Sequence, residues 1–304
     1  MRLYTARTYQ LARRGQVTER FTKALERLGS DQAYVRIGGI LALEQIVQDV
    51  PDQVATDAAR VLNHFLRHHA APKSPTTDGK KTDVSPHAAD DEARLQAATC
   101  TWATPSPSTE EKTRTDPGLP DELAADVQAA LTALTGPEFR SHVDVGLDLH
   151  GLHLAGACLP EADLTSANLK GANLAGADLS RATLTGTDLT DATLTDCADL
   201  TGANLARARL YGADLSGASL RWAILTNAEL AEANLTEATL FGANLTGAKL
   251  FTTTLTGANL TEAVLTSAYL NGTNLIHTEG LTSEQVQSAL RIDNAILPPD
   301  LRRQ

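Results

Sequence analysis

The chain has 304 residues, room for two or three domains, and with 4% aromatics and one Met its core must be largely aliphatic. Three Cys are too few for a disulfide framework or a multi-cysteine zinc site, and no apolar run approaches the ~20 residues of a membrane-spanning helix. The net charge of −11 divides as +3 over 1–70, −6 over 71–145 and −8 over 146–280, which disfavours nonspecific nucleic-acid binding by the acidic C-terminal half. No signal peptide opens the sequence, so the expectation is a reduced, soluble, cytoplasmic protein.

Residues 1–70 read as an α-helical domain. Phe21, Leu25 and Leu28 share one face at helical spacing, and Gly29 is placed to end that helix. Ser30 or Asp31 can cap a second helix through Ile37, Leu41, Leu43 and Ile46. Pro51 opens a third, with Val54, Ala58, Val61, Leu62 and Phe65 on its inner face. Residues 71–118 hold six of the 12 Pro and few large apolar residues, so they read as a disordered linker rich in Pro, Thr and Ser. Leu123, Val127, Leu131 and Leu134 then give an amphipathic helix over 119–136, opened by Pro120 and closed by Gly136.

From 142 to 280 the sequence repeats every five residues. Leu occupies 149 and every fifth position to 194; one residue is inserted, and Leu resumes at 200 and every fifth position to 275. Two residues before each of these 26 Leu stands Ala in 21 cases, Thr in three (Thr187, Thr253, Thr273) and Leu in the first two. Just before the Leu, 13 of 26 residues are Asp or Asn. An α-helix cannot use this period, because five residues advance 500° and carry successive Leu around every face. A flat strand fails too, since positions five apart point to opposite faces. A chain that turns a corner every five residues does fit. Ala and Leu, two apart, point inward together, while Gly tolerates the corner and Asp or Asn can bond the nearby backbone. Four such sides make a coil of 20 residues, and stacked coils lie about 4.8 Å apart.

These pentads resemble the pentapeptide-repeat family, whose consensus is A-(D/N)-L-x-x. The resemblance covers about 135 residues. It implies a mainly β solenoid, a right-handed quadrilateral β-helix of about 6.5 coils and roughly 30 Å. The segments Gly15–Phe21 and Val35–Glu44 resemble the helical N-terminal part of a subgroup of bacterial pentapeptide-repeat proteins, in which membrane-spanning helices often come first. Residues 281–304 should cap the far end. Thr282-Ser283-Glu284-Gln285 is a capping-box pattern, followed by Val286, Leu290 and Ile292 before Leu297-Pro298-Pro299.

Reactive chemistry is sparse. His64 and His68 have a spacing that zinc could use, but no third ligand is near, and a solvated helix end explains them. His150, His153 and Cys158 fall at outward positions with no partner arranged by spacing. No phosphate loop, metal motif or nucleophile elbow occurs, so no enzyme, cofactor or metal is expected. Residues 20 apart should stack, so Arg209, Glu229 and Lys249 form a column continued by Tyr269. Tyr211 and Phe251 share the corner after it, and Arg221, Trp222 and Phe241 lie together two sides away. Tyr211, Phe251, Tyr269, Arg221, Trp222 and Phe241 are therefore the candidate partner surface, against a plainer reading in which single aromatics only cover corner glycines. The expected function is a non-catalytic protein-interaction or scaffold module whose partner is a protein. The resemblance adds two alternatives: a DNA mimic that binds DNA gyrase, as quinolone-resistance members do, and the soluble part of a membrane-associated signalling or stress protein. In the mimics a C-terminal segment also dimerises, so a homodimer through the cap is a further expectation.

Overall fold

The computed structural model describes residues 2–71, 123–142 and 146–301. Apart from Ala71, the expected linker lies outside the described residues. Six helices are described: α1 Arg2–Leu28, α2 Ala33–Asp49, α3 Pro51–His69, α4 Ala125–Thr135, α5 Pro137–Arg140 and α6 Ser283–Ser288. The first five gather before the repeat. α2 packs on α1, α3, α4 and α5, and Gly39 lets α2 approach α1 closely, since a Cβ there would stand 2.9 Å from the Ala24 carbonyl. Ala58, Leu62, Phe65, Val127, Leu131 and Leu134 are buried, as their spacing predicts. Leu41 is not: it stays exposed on the outer face of α2 together with Tyr34. The cap of α2 also differs, with Gln32 at the N-cap and no side-chain bond closing it.

The repeat is a β-helix solenoid. Asp148 bridges Asn168 in parallel, His153 bridges Asn173, Cys158 bridges Asp178 and Asp163 bridges Thr183, and the pattern continues along the chain at a spacing of 20 except across the insertion and at the C-terminal end. Each side is an isolated bridge followed by a two-residue turn, and no extended strand forms among the described residues. A side of five residues reaches its corner before a longer strand can develop. All 26 central Leu are buried, none more than 3% exposed, and so is the residue two before each. Full burial of one Leu contributes about 1.5–3 kcal/mol, an upper figure because the unfolded chain is already partly compact. The three Thr in the Ala column are accommodated because each hydroxyl donates to a Leu carbonyl of the coil before: Thr187 to Leu164, Thr253 to Leu230 and Thr273 to Leu250, at 2.6–2.7 Å.

Each of the 13 Asp and Asn in the consensus position accepts, through its Oδ1, the backbone N–H two residues on; Asp163 to Thr165 (2.9 Å) and Asn259 to Thr261 (2.9 Å) are examples. These carboxylates and amides close the turns. The inserted residue is absorbed at one corner, where Asp196 and Cys197 both take left-handed backbone, with φ of 55° and 59°. The bridges step by 21 there, pairing Asp188 with Arg209, so the column register survives the insertion. Cys158 is a free, exposed thiol.

The helices close the N-terminal end of the coil. In mid-repeat, the N–H before each Leu donates to the preceding coil, as Asn168 does to the Leu147 carbonyl at 2.8 Å. The first coil has none before it. His153 N–H donates instead to the Ala70 carbonyl after α3 (2.7 Å), and Asp163 N–H to the Thr135 carbonyl at the end of α4 (3.0 Å). The Gln128 side chain takes both backbone groups of Cys158, accepting its N–H at 2.9 Å and donating to its carbonyl at 2.6 Å. Helix C-termini, whose last carbonyls lack helical partners, thus satisfy the donors of an uncovered coil. On the remaining side Arg67 pairs with Asp148 at 2.7 Å, and Asp148 also meets His150 and Asn168.

Burial works against the Asp148 carboxylate, but its bonds from His150 and Arg67 and the Arg67 charge outweigh that and hold its pKa below the usual value. A depressed native pKa stabilises above the unfolded value of about 3.9 and loses that contribution as the pH falls through the native one. Asp148→Asn should therefore lower stability near neutral pH by at most ~1 kcal/mol for this partly exposed group. The gap from the native sequence should close on acidification; denaturant melts across that range measure it.

At the C-terminal end the capping box forms as the sequence predicts, with Gln285 N–H donating to Thr282 Oγ1 and Thr282 N–H to Gln285 Oε1. Gln285 Nε2 also donates to the Leu260 and Ala263 carbonyls, at 2.9 and 2.8 Å. The helix is shorter than the apolar spacing suggested. After Ser288 the chain returns to the repeat geometry, with Arg291 bridging Tyr269 and Ile296 bridging Asn274. Leu290 and Ile292 consequently lie exposed rather than on a helix.

Candidate interaction surface

We name the sides by their first central Leu: Leu149, Leu154, Leu159 and Leu164 begin the first to fourth. Outward residues of one side stack from coil to coil, so any surface is a set of columns. On the first side Asp188, Arg209, Glu229, Lys249 and Tyr269 follow one another as bridged neighbours. The charges form two pairs, Arg209 with Asp188 at 3.3 Å and Lys249 with Glu229 at 2.8 Å, rather than one continuous ladder. The Asp188 pKa is lowered: burial opposes the charge, but hydrogen bonds from Thr190 and the nearby Arg209 prevail.

The six candidates fall into two groups on opposite corners. After the first side, Phe251 and Tyr269 rings meet at 5.7 Å with a 46° tilt. Tyr211 stands apart from them, since Ala231 occupies the coil between. The Glu232 carboxylate beside it pushes the phenol pKa up. After the third side the contacts are denser. Trp222 and Phe241 pack edge to face at 5.0 Å, and the Arg221 guanidinium lies 5.4 Å over the Phe241 ring. Trp222 is 54% exposed.

The covering role of an aromatic is visible at Trp222. A Cβ on Gly242, at φ +65°, would stand 2.3 Å from the Trp222 ring, whereas one on Gly217, at φ +67°, meets nothing within 4 Å. Both Ala substitutions carry a left-handed penalty of about 1–2 kcal/mol. Only Gly242→Ala should also displace the ring. Tryptophan emission is expected to shift in Gly242→Ala and to stay unchanged in Gly217→Ala.

Sequence reasoning missed Ile224 and Val264. They are 40% and 42% exposed, in one outward column of the fourth side beside Trp222. An aliphatic residue at an Asp/Asn position was the available signal. The fourth side is also distinct in charge. The 14 acids of 146–280 divide 5, 3, 5 and 1 among the four sides in order. The single one on the fourth side, Asp163, lies by Arg140 at 3.6 Å.

Elsewhere, His64 and His68 contact each other edge to face at 4.4 Å. No group of His, Cys, Asp and Glu able to hold a metal occurs among the described residues. No helix of the described residues is long and apolar enough to cross a membrane.

Stacked five-residue sides around a Leu core define a repeat scaffold. The chain belongs to the pentapeptide-repeat family: the model for pentapeptide repeats matches eight copies, over residues 148–186, 157–196, 187–227, 218–257 and 243–279. Among solved structures, the pentapeptide-repeat protein Rfr23 from the cyanobacterium Cyanothece 51142 is 42% identical over 33% of this chain and 64% of its own, with a TM-score of 0.28. The chain thus spans less than two thirds of that relative. HetL, a pentapeptide-repeat protein involved in heterocyst differentiation regulation in Nostoc sp. strain PCC 7120, is 34% identical over 49% of this chain and 76% of its own, with a TM-score of 0.23. QnrB1, a plasmid-mediated fluoroquinolone resistance protein, is 19% identical over 53% and 88%, with a TM-score of 0.28. No curated protein matches.

Proposed function

We propose that the protein is a non-catalytic interaction scaffold, a right-handed quadrilateral β-helix that presents fixed side-chain columns to a protein partner. The division into a helical domain over 1–70, a linker over 71–118, a helix over 119–136, the repeat over 142–280 and a cap over 281–304 belongs to this proposal. Tyr211, Phe251, Tyr269, Arg221, Trp222 and Phe241 are its contact candidates. The supporting observation is the exposed aromatic grouping of Trp222 and Phe241 on a framework whose coils are hydrogen-bonded to each other throughout. Trp and Arg are the residue types that most often dominate interface energies.

The charge pattern favours this reading over a DNA mimic of the gyrase-binding kind. No side is a continuous acidic strip, the first alternates sign, and the fourth carries one acid. The six Asp at the consensus position use an oxygen to close their own turns. Affinity capture from the source organism, with the bound protein identified by mass spectrometry, tests the scaffold when run beside a Trp222→Ala, Phe251→Ala variant. A specific partner should be retained by the native protein and lost by the variant. Gyrase supercoiling assayed in parallel should be unaffected; its inhibition would replace the scaffold by the mimic.

A further inference from the structure

The fourth side of the coil differs from the rest in a way that specifies the chemistry of its partner. From Thr183 to Ser267 none of its outward positions is acidic, although the repeat carries net −8. Ile224 and Val264 give it two exposed aliphatic side chains, with Asn244 on the coil between them. Trp222 and Phe241 line the corner through which the chain enters it, and Arg221 extends over Phe241. Arg207 lies at the corner through which the chain leaves it. Arg181, Arg209 and Arg67 each pair with a carboxylate, but Arg207 and Arg221 form no ion pair among the described residues.

We propose that this side binds an acidic segment of another protein, one that also carries an aromatic or aliphatic side chain. The assignment rests on the scaffold reading above and deepens it. Four features support that occupant. An acidic segment meets a net negative charge on each of the other three sides; here it meets Arg207 and, at the corner shared with the third side, Arg221, with Glu262 on that corner beyond Gly242. Arg221 is held against an aromatic face, which keeps its charge beside the Trp222 and Phe241 rings. Coil-to-coil bonding uses the backbone groups of the side, as Ile224 N–H to Ala203 and Leu225 N–H to Asn244 show, so a partner docks through side chains and not by adding a strand. The Trp222 ring is already seated on Gly242, so little side-chain freedom is lost on binding.

The test uses the full chain and a fluorescein-labelled peptide of alternating Glu and Asp around a central Phe-Leu pair, with a comparator in which every acid is Lys. Fluorescence anisotropy should show saturable binding of the acidic peptide below about 1 mM, weakening with added salt. Trp222→Ala and Arg221→Glu should each weaken it about tenfold or more, while Phe251→Ala on the opposite corner leaves it unchanged. Far-UV circular dichroism confirms that these surface variants fold. Absence of saturable binding, equal binding of the Lys peptide, or loss in Phe251→Ala alone overturns the proposal. In the last case the scaffold reading survives with its site on the other corner. Sedimentation equilibrium supplies the remaining arm: a dimer broken by Trp222→Ala would make the occupant a second copy of this chain, which also overturns it.

Discussion

Replacing Arg36 with Leu is expected to destabilise the helical end of the protein by about 3–5 kcal/mol, because it leaves a buried carboxylate uncompensated. Asp126, at the start of α4, is 1% exposed, and one of its oxygens lies 2.6 Å from Arg36 Nε. Its other oxygen, Oδ1, has no hydrogen-bond partner among the described residues. Arg36 also donates to the Ser30 carbonyl at 2.9 Å, so it ties α2 both to the α1–α2 turn and to α4. The pair is not necessarily a net source of stability, since two charges lost their water to form it. A double variant, Arg36→Leu with Asp126→Leu, should recover most of the loss, as apolar replacements of buried pairs often do. Denaturant melts of the four proteins in that cycle, followed by the helical signal, measure both effects. A loss of under 1 kcal/mol in the single variant, set against the ~3 expected, would show that the Arg36–Asp126 contact does not hold α2 to α4.

The second large effect lies in the repeat. Leu235→Ala should cost about 2–5 kcal/mol, the range for removing a fully enclosed Leu. Leu235 is 0% exposed, with Ala233 beside it and the coils before and after bonded to its own. The site cannot collapse freely, because the backbone spacing is held by hydrogen bonds on both sides. Asp at the same position should prevent the solenoid from folding, as an unpaired charge in that column has no polar neighbour. Thermal melts followed by the β signal report both variants.

The repeat was legible because its residues answer to a single local rule. A Leu every fifth position excludes helix and strand, and the Asp or Asn before it names the turn bond that forms 13 times. The insertion at 196–197 was legible for the same reason, since one extra corner residue leaves the inward positions untouched. Contacts made between distant segments were not. Arg36 with Asp126, or Gln128 with Cys158, leave no periodic trace, because each joins chain positions that only the tertiary fold brings together. The apolar residues after α6 misled in the opposite direction. Val286, Leu290 and Ile292 suggest a longer helix, but bonding to Tyr269 and Asn274 at the open coil prevails over that local preference. Ile224 and Val264 leave only a faint trace in the sequence, because an aliphatic residue at a single Asp/Asn position does not disturb the five-residue period.

The junction at His153, Cys158 and Asp163 has a further consequence for assembly. A stack of like coils has two mating ends: the groups it offers at one are those it would receive at the other. Left open, such ends could join head to tail between molecules and grow a fibre, since nothing in the operation closes it into a ring. Growth of that kind requires both ends. Ala70, Gln128 and Thr135 already occupy three sides of one of them. With that face sealed, the open end of one molecule finds no complementary end on another, and it is free to stay short and only partly covered.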